Sequence, residues 1–145
     1  AFSGLTADGR ILANKGEFNA NLTDLTTTTI LSLIHIKAIA ETKQKYTQKG
    51  GVRPFGISAL IAGLDNQGKP HLYYTDPSGS FSEWKAQHVG ETKASELIFG
   101  KALQISISNE DGIKLVIKAL LDVVESGNKN IELMVITEKE TRFLT

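Results

Sequence analysis

Apolar positions along this chain change their period several times, and each change marks an element. Ile113, Val116, Ile117, Leu120, Leu121 and Val124 recur at helical offsets and predict an amphipathic helix. Ser108, with Asp111 three residues on, has the spacing of a capping box at its start, and Ser126-Gly127 ends it. Phe55–Asp65 is different: an almost uncharged run rich in β-branched and small residues, closed by the turn Asp65-Asn66-Gln67-Gly68. A second run, Pro70–Thr75, a second turn, Asp76-Pro77-Ser78-Gly79, and a third run, Ser80–Gln87, follow. Strands joined by short polar turns predict an antiparallel three-stranded meander.

The remaining elements are less regular. Ala1–Leu5 reads as the end of a strand running into a turn. Thr6 is placed to cap a helix, with Asp8 in its first turn facing the positive end of the dipole. Gly9 and Gly16 each cost about 1 kcal/mol relative to alanine, which predicts a short or irregular helix. Asp24 is placed to cap a second helix reaching Gln48, with Ile30, Leu33, Ile34 and Ala38 on its apolar side. Lys37, Glu41, Lys43 and Lys45 form its polar side, and Lys49-Gly50-Gly51 stops it. Thr26–Thr29 oppose that reading, being β-branched, but length and the polar last turns favour the helix. Glu91–Leu103 predicts a helix weakened by Gly100, followed by the linker Gln104–Ser108. Ile131–Ile136 reads as an apolar strand, Glu138-Lys139-Glu140 as a turn, and Thr141–Thr145 as a returning strand. Helices and antiparallel strands in this order predict a layered α+β architecture, and 145 residues predict one domain over 1–145.

Composition narrows the functions. Sixteen basic and sixteen acidic residues give a formal charge of zero, so nothing draws the chain to nucleic acid or an anionic membrane. There is no cysteine, hence no disulfide, no thiol nucleophile and no cysteine metal site. Leu25–Ile36 is the longest uncharged run and is too short to span a bilayer. The opening residues show no signal-peptide pattern, and without one Asn21-Leu22-Thr23 reads as a chance glycosylation sequon.

Candidate chemistry is sparse. Asp76 and Ser78 suggest an acid and a nucleophile, but aspartate, proline and glycine at turn positions one, two and four make Asp76-Pro77-Ser78-Gly79 an ordinary turn. His35, His71 and His88 have neither ligand spacing nor an acidic partner at a helical offset, so no metal site is expected. Arg53, before Pro54, either pins its loop to carbonyls or a carboxylate or meets a neighbouring subunit. Trp84 is expected to pack in the core rather than to anchor an interface.

The stretch TQ-x-G-G-V-R-P-F-G-I-S-A-L-I-x-G-x-D (Thr47–Asp65), then LY-x-TDPSG (Leu72–Gly79) and WKA (Trp84–Ala86), closely resembles the α subunits of the proteasome, the type-7 group above all. IKLVIKALLDVVESGNKNIEL (Ile113–Leu133) resembles the family's late helix and following strand, and GLTADGR (Gly4–Arg10) its GLTADAR, whereas Lys15–Asp24 departs from its pattern. The resemblance implies a four-layer α/β/β/α sandwich of the N-terminal-nucleophile hydrolase type, lacking the first strands and the C-terminal helix. The helices before Gly51 would form one outer layer and those of Glu91–Glu125 the other. It implies a non-catalytic α-ring subunit of the 20S core in ubiquitin-dependent degradation, in cytoplasm and nucleus. Its partners would be the other α subunits of a seven-membered ring, the β subunits, and a regulatory particle on the outer face. The family's gating tail and its activator-docking lysine have no counterpart here. No catalytic, cofactor or metal residue is implied. The catalytic relatives use an N-terminal threonine as nucleophile, and Ala1 has no such oxygen. The alternatives are such a threonine peptidase, or a truncated paralogue that does not enter the particle.

Overall fold

The computed structural model describes residues 1–24, 31–65, 67–90, 108–121, 131–138 and 140–144. It divides into two compact units, Ala1–Gly90 and Glu91–Thr145.

In the first unit the meander forms as its polarity pattern predicts. Strands β2 (Ile57–Leu64), β3 (Pro70–Thr75) and β4 (Phe81–Glu83) pair antiparallel, with Ala59 opposite Thr75 and Tyr73 opposite Glu83. β4 is shorter than the expected Ser80–Gln87. Strand β1 (Phe2–Gly4) joins on the other side of β2, giving the order β1-β2-β3-β4. Both turns are tied by aspartate. Asp65 Oδ1 accepts from the amides of Gln67 and Lys69, and Asp76 Oδ1 from those of Ser78 and Ser80. Gly79 supplies the positive φ of the second turn, +91°, in close approach to the backbone of residues 40 and 44.

Helix α1 spans Thr6–Asp24, so it is neither short nor irregular. Packing outweighs its two glycines: Leu12 is buried in a cluster with Phe55 and Ile57, and the Lys15 ammonium lies 5.3 Å from the Tyr46 ring centre. Leu5, not Thr6, occupies the cap position. Its carbonyl accepts the first helical bond from Gly9, while its own amide is held by Gly56 O as the strand ends. Asp24 is the last residue of α1 and therefore does not cap the next helix.

Helix α2 spans Leu31–Gln48. Its buried stripe is Ile36, Ala40 and Lys43, offsets of zero, four and seven, with Ile39 and Tyr46 partly buried beside it. Lys43 thus lies on the inner face and not on the polar one. The expected apolar positions Ile30, Leu33 and Ile34 lie outside the described side chains. Both helices cover the face of the sheet that carries Ile57, Ala59, Tyr73 and Thr75, all buried.

The described part of the second unit is a helix and a hairpin. Helix α3 (Asn109–Leu121) starts at the expected capping box: Ser108 Oγ accepts from the Asp111 amide and donates to Asp111 Oδ2 at 2.7 Å. Strands β5 (Leu133–Ile136) and β6 (Thr141–Leu144) pair antiparallel, Leu133 opposite Leu144 and Ile136 opposite Thr141. The predicted helix Glu91–Leu103, Val124 and the threonines Thr26–Thr29 lie outside the described residues. None of the described helices is long and apolar enough to cross a membrane.

Candidate functional site

The conspicuous polar chemistry of the first unit sits where α1, α2 and the loop before β2 meet the sheet. The fork of Arg53 closes on Asp8, Nη1 to Oδ2 at 2.7 Å and Nη2 to Oδ1 at 2.8 Å, and the Gly56 amide donates to Oδ2 at 2.9 Å. The Asp8 side chain is 5% exposed and that of Arg53 63%, so one partner is sunk in the fold and the other caps it from solvent. The Arg53 hydrogen bonds, followed by the Gly56 amide, hold the Asp8 carboxyl down to about 2. Such a group stays ionised and fully engaged near neutrality, so it is unsuited to general acid or base work.

Lys43 is the second such group. It is wholly buried, and its ammonium donates to the carbonyls of Ile57 at 3.0 Å, Asp76 at 3.1 Å and Thr75 at 3.4 Å. Three donors meet three acceptors, so the ammonium is saturated by backbone. Burial pushes its pKa down to about 8, and the nearby charge of Asp76 opposes that shift. Its bonds join the start of β2 and the end of β3 to the middle of α2. The amine is a staple, closed off from solvent among the described residues.

The residues singled out in the sequence are scattered rather than assembled. Arg53 pins its loop to a carboxylate, the first of its two expected readings. Ser78 Oγ donates to Asp76 Oδ1 at 2.6 Å inside the turn, so the pair is turn architecture. His71 stands between two carboxylates, Asp65 Oδ2 at 3.3 Å from Nε2 and Glu83 Oε1 at 2.5 Å from Nδ1. Neither acid lies at a helical offset from it, because a sheet made the contact. The His88 amide is bonded to Gln87 Oε1, and the side chain of His35 lies outside those described. Among the described residues no group of three or more metal-ligating side chains converges. Trp84 is 46% exposed, against the expectation of core packing, because it follows β4, the edge strand among the described residues, and its indole N–H donates sideways to Ser82 Oγ.

Two of the groups that define this region were not assigned these roles from sequence. Lys43 is three residues from Ala40 and seven from Ile36, so its place on a buried stripe was the available signal. Asp8 carried no comparable one, since its partner is forty-five positions away.

A model of the family described as "Proteasome subunit" matches residues 1–136. The chain is 50% identical over 140 residues to the proteasome subunit alpha type-7 of Dictyostelium discoideum, covering 96% of the chain and 56% of that protein. It is 48% identical over 143 residues to alpha type-7-B of Arabidopsis thaliana, covering 97% and 57%. To alpha type-8 of Mus musculus it is 47% identical over 140 residues, covering 94% and 56%. The chain therefore spans a little over half the length of these relatives.

Proposed function

The chain belongs to the proteasome subunit family, and on that footing we propose that it acts as a non-catalytic α-type ring subunit of the 20S core. The single observation that carries the reading is the level of identity, near one half across almost the whole chain, to relatives named as α-type subunits. The local chemistry agrees with it. Asp8 and Lys43 are both saturated by partners within the fold, which suits a rigid building block and leaves neither group for turnover.

The finer architecture we propose is the four-layer sandwich, folded as one domain. Strand alternation puts Leu60, Ala62 and Leu64 with Leu72 and Tyr74 on the face of the first sheet turned away from its helices, where Ser58 Oγ meets Tyr74 Oη at 3.5 Å. An apolar sheet face of this kind calls for a covering layer, and in the proposed fold a second sheet supplies it. The proposed partners are the neighbouring α subunits of a seven-membered ring, the β ring and a regulatory particle, in cytoplasm and nucleus, in ubiquitin-dependent degradation.

Native mass spectrometry of the tagged chain, recovered gently from its own cells, tests this. We expect it in a stoichiometric particle of many subunits, and the isolated chain is expected to release no product from fluorogenic peptides. Recovery only as a monomer or aggregate, or turnover by the isolated chain, would overturn the reading.

A further inference from the structure

One imidazole bridges three strands of the first sheet. His71 lies opposite Gly63 of β2, and its neighbour on the same face, Tyr73, lies opposite Glu83 of β4. Alternation therefore brings Glu83 to one side of the ring and Asp65, two residues beyond Gly63, to the other. The ring stacks on Tyr73, centroids 6.0 Å apart and planes 3° from parallel. Its side chain is 16% exposed. Asp65 has its Oδ1 engaged by the turn amides of Gln67 and Lys69, which leaves Oδ2 for the ring.

A neutral imidazole carries one N–H, so one of its nitrogens would turn a lone pair toward a carboxylate oxygen. Only the imidazolium donates to both Glu83 and Asp65. We infer that His71 is a pH-operated latch at the β4 side of the sheet: charged, it ties β4 to the β2–β3 turn, and on losing its proton it gives up one of the two carboxylates, breaks that tie and loosens β4. The strand is short and exposed, and among the described residues it pairs only with β3, so the latch adds to a short ladder.

The charged groups of the elements packed around the ring do not duplicate the effect. On α2, Lys43 is committed to carbonyls, and Lys37, Glu41 and Lys45 are exposed and form no ion pair with the ring. Lys69 in the turn and Lys85 beyond β4 are exposed as well. The hydrogen bond to Glu83, then that to Asp65, raises the ring's pKa above 6.5, with burial opposing. A raised folded value means that the stabilisation is complete below 6.5 and is lost as pH rises through the folded pKa.

The test uses the full chain carrying His35→Gln and His88→Gln, so that His71 is the sole imidazole. Its ring protons are titrated by NMR, while hydrogen exchange of the Trp84 amide, which donates to Leu72 O, reports on β4 after correction for intrinsic exchange. We expect a midpoint above 6.5 and a loss of Trp84 protection with that same midpoint, about tenfold for each pH unit of elevation. Adding Glu83→Gln lowers the midpoint, and adding His71→Gln abolishes the pH step. Should His71→Gln fail to fold, the midpoint shift in Glu83→Gln decides alone. A midpoint at or below 6.5, an unchanged midpoint in Glu83→Gln, or a step that survives in His71→Gln overturns the latch.

Discussion

Arg53 and Asp8, forty-five positions apart, meet through two parallel hydrogen bonds of 2.7 and 2.8 Å. The pair fastens the loop before β2 to the first turn of α1. Because Asp8 titrates at about 2 in the fold against 3.8 in its absence, its contribution is present above 3.8 and is lost as pH falls toward 2. Asp8→Asn should lower stability at neutral pH and flatten the fall of the urea midpoint on acidification. Arg53→Lys keeps the charge but not the fork, and should lose most of the effect. Equal acid slopes in the parent and in Asp8→Asn would refute the assignment.

Lys43→Met keeps the length of the side chain and removes the ammonium, taking its donor from the buried carbonyl of Ile57 and the shorter of two side-chain bonds from that of Asp76. We expect a loss of about 3 kcal/mol in urea unfolding. A loss below about 1 kcal/mol would mean that water reaches those carbonyls and that the staple is dispensable.

Gly79→Ala combines two costs. The residue sits at φ +91°, and an added Cβ would lie 2.5 Å from Ala40 O and 2.8 Å from Gln44 N, both backbone. The expected destabilisation is at least about 1 kcal/mol from conformation alone, with more from displacing the turn off α2. A neutral substitution would show that the turn does not rest on the helix.

Gly9 is a subtler case. Alanine there should gain about 1 kcal/mol of helix propensity, yet its Cβ would come within 2.2 Å of the Phe2 ring. That ring is 45% exposed, so it gives way and loses its packing. Gly9→Ala should therefore be nearly neutral by itself and stabilising in a Phe2→Ala background. Additive effects in the double-mutant cycle would contradict the contact.

What was legible in the sequence was local. The meander, its two aspartate turns and the Ser108–Asp111 box depend on residues near one another in the chain, and all three are present, with β4 shorter than its expected run. The errors share a cause. The length of α1, the cap at Leu5 and the burial of Lys43 depend on partners dozens of residues away: Phe55 and Ile57 for Leu12, Gly56 for Leu5, Ile57 and Asp76 for Lys43. The exposure of Trp84 has the same origin, since the strand order puts it at an edge among the described residues. In the candidate region, the sequence leaves Arg53 between pinning its loop to carbonyls or a carboxylate and meeting a neighbouring subunit, and the fold supplies the carboxylate, Asp8.

The ammonium of Lys43 takes hold of the sheet and its following turn through main-chain oxygens at positions 57, 75 and 76. Every amino acid carries that oxygen, proline included. Sequence drift at those three positions leaves the grip intact so long as the strands keep their path. The whole selective burden falls on the donor: among living variants of this domain, position 43 should tolerate change far less than the three positions it holds.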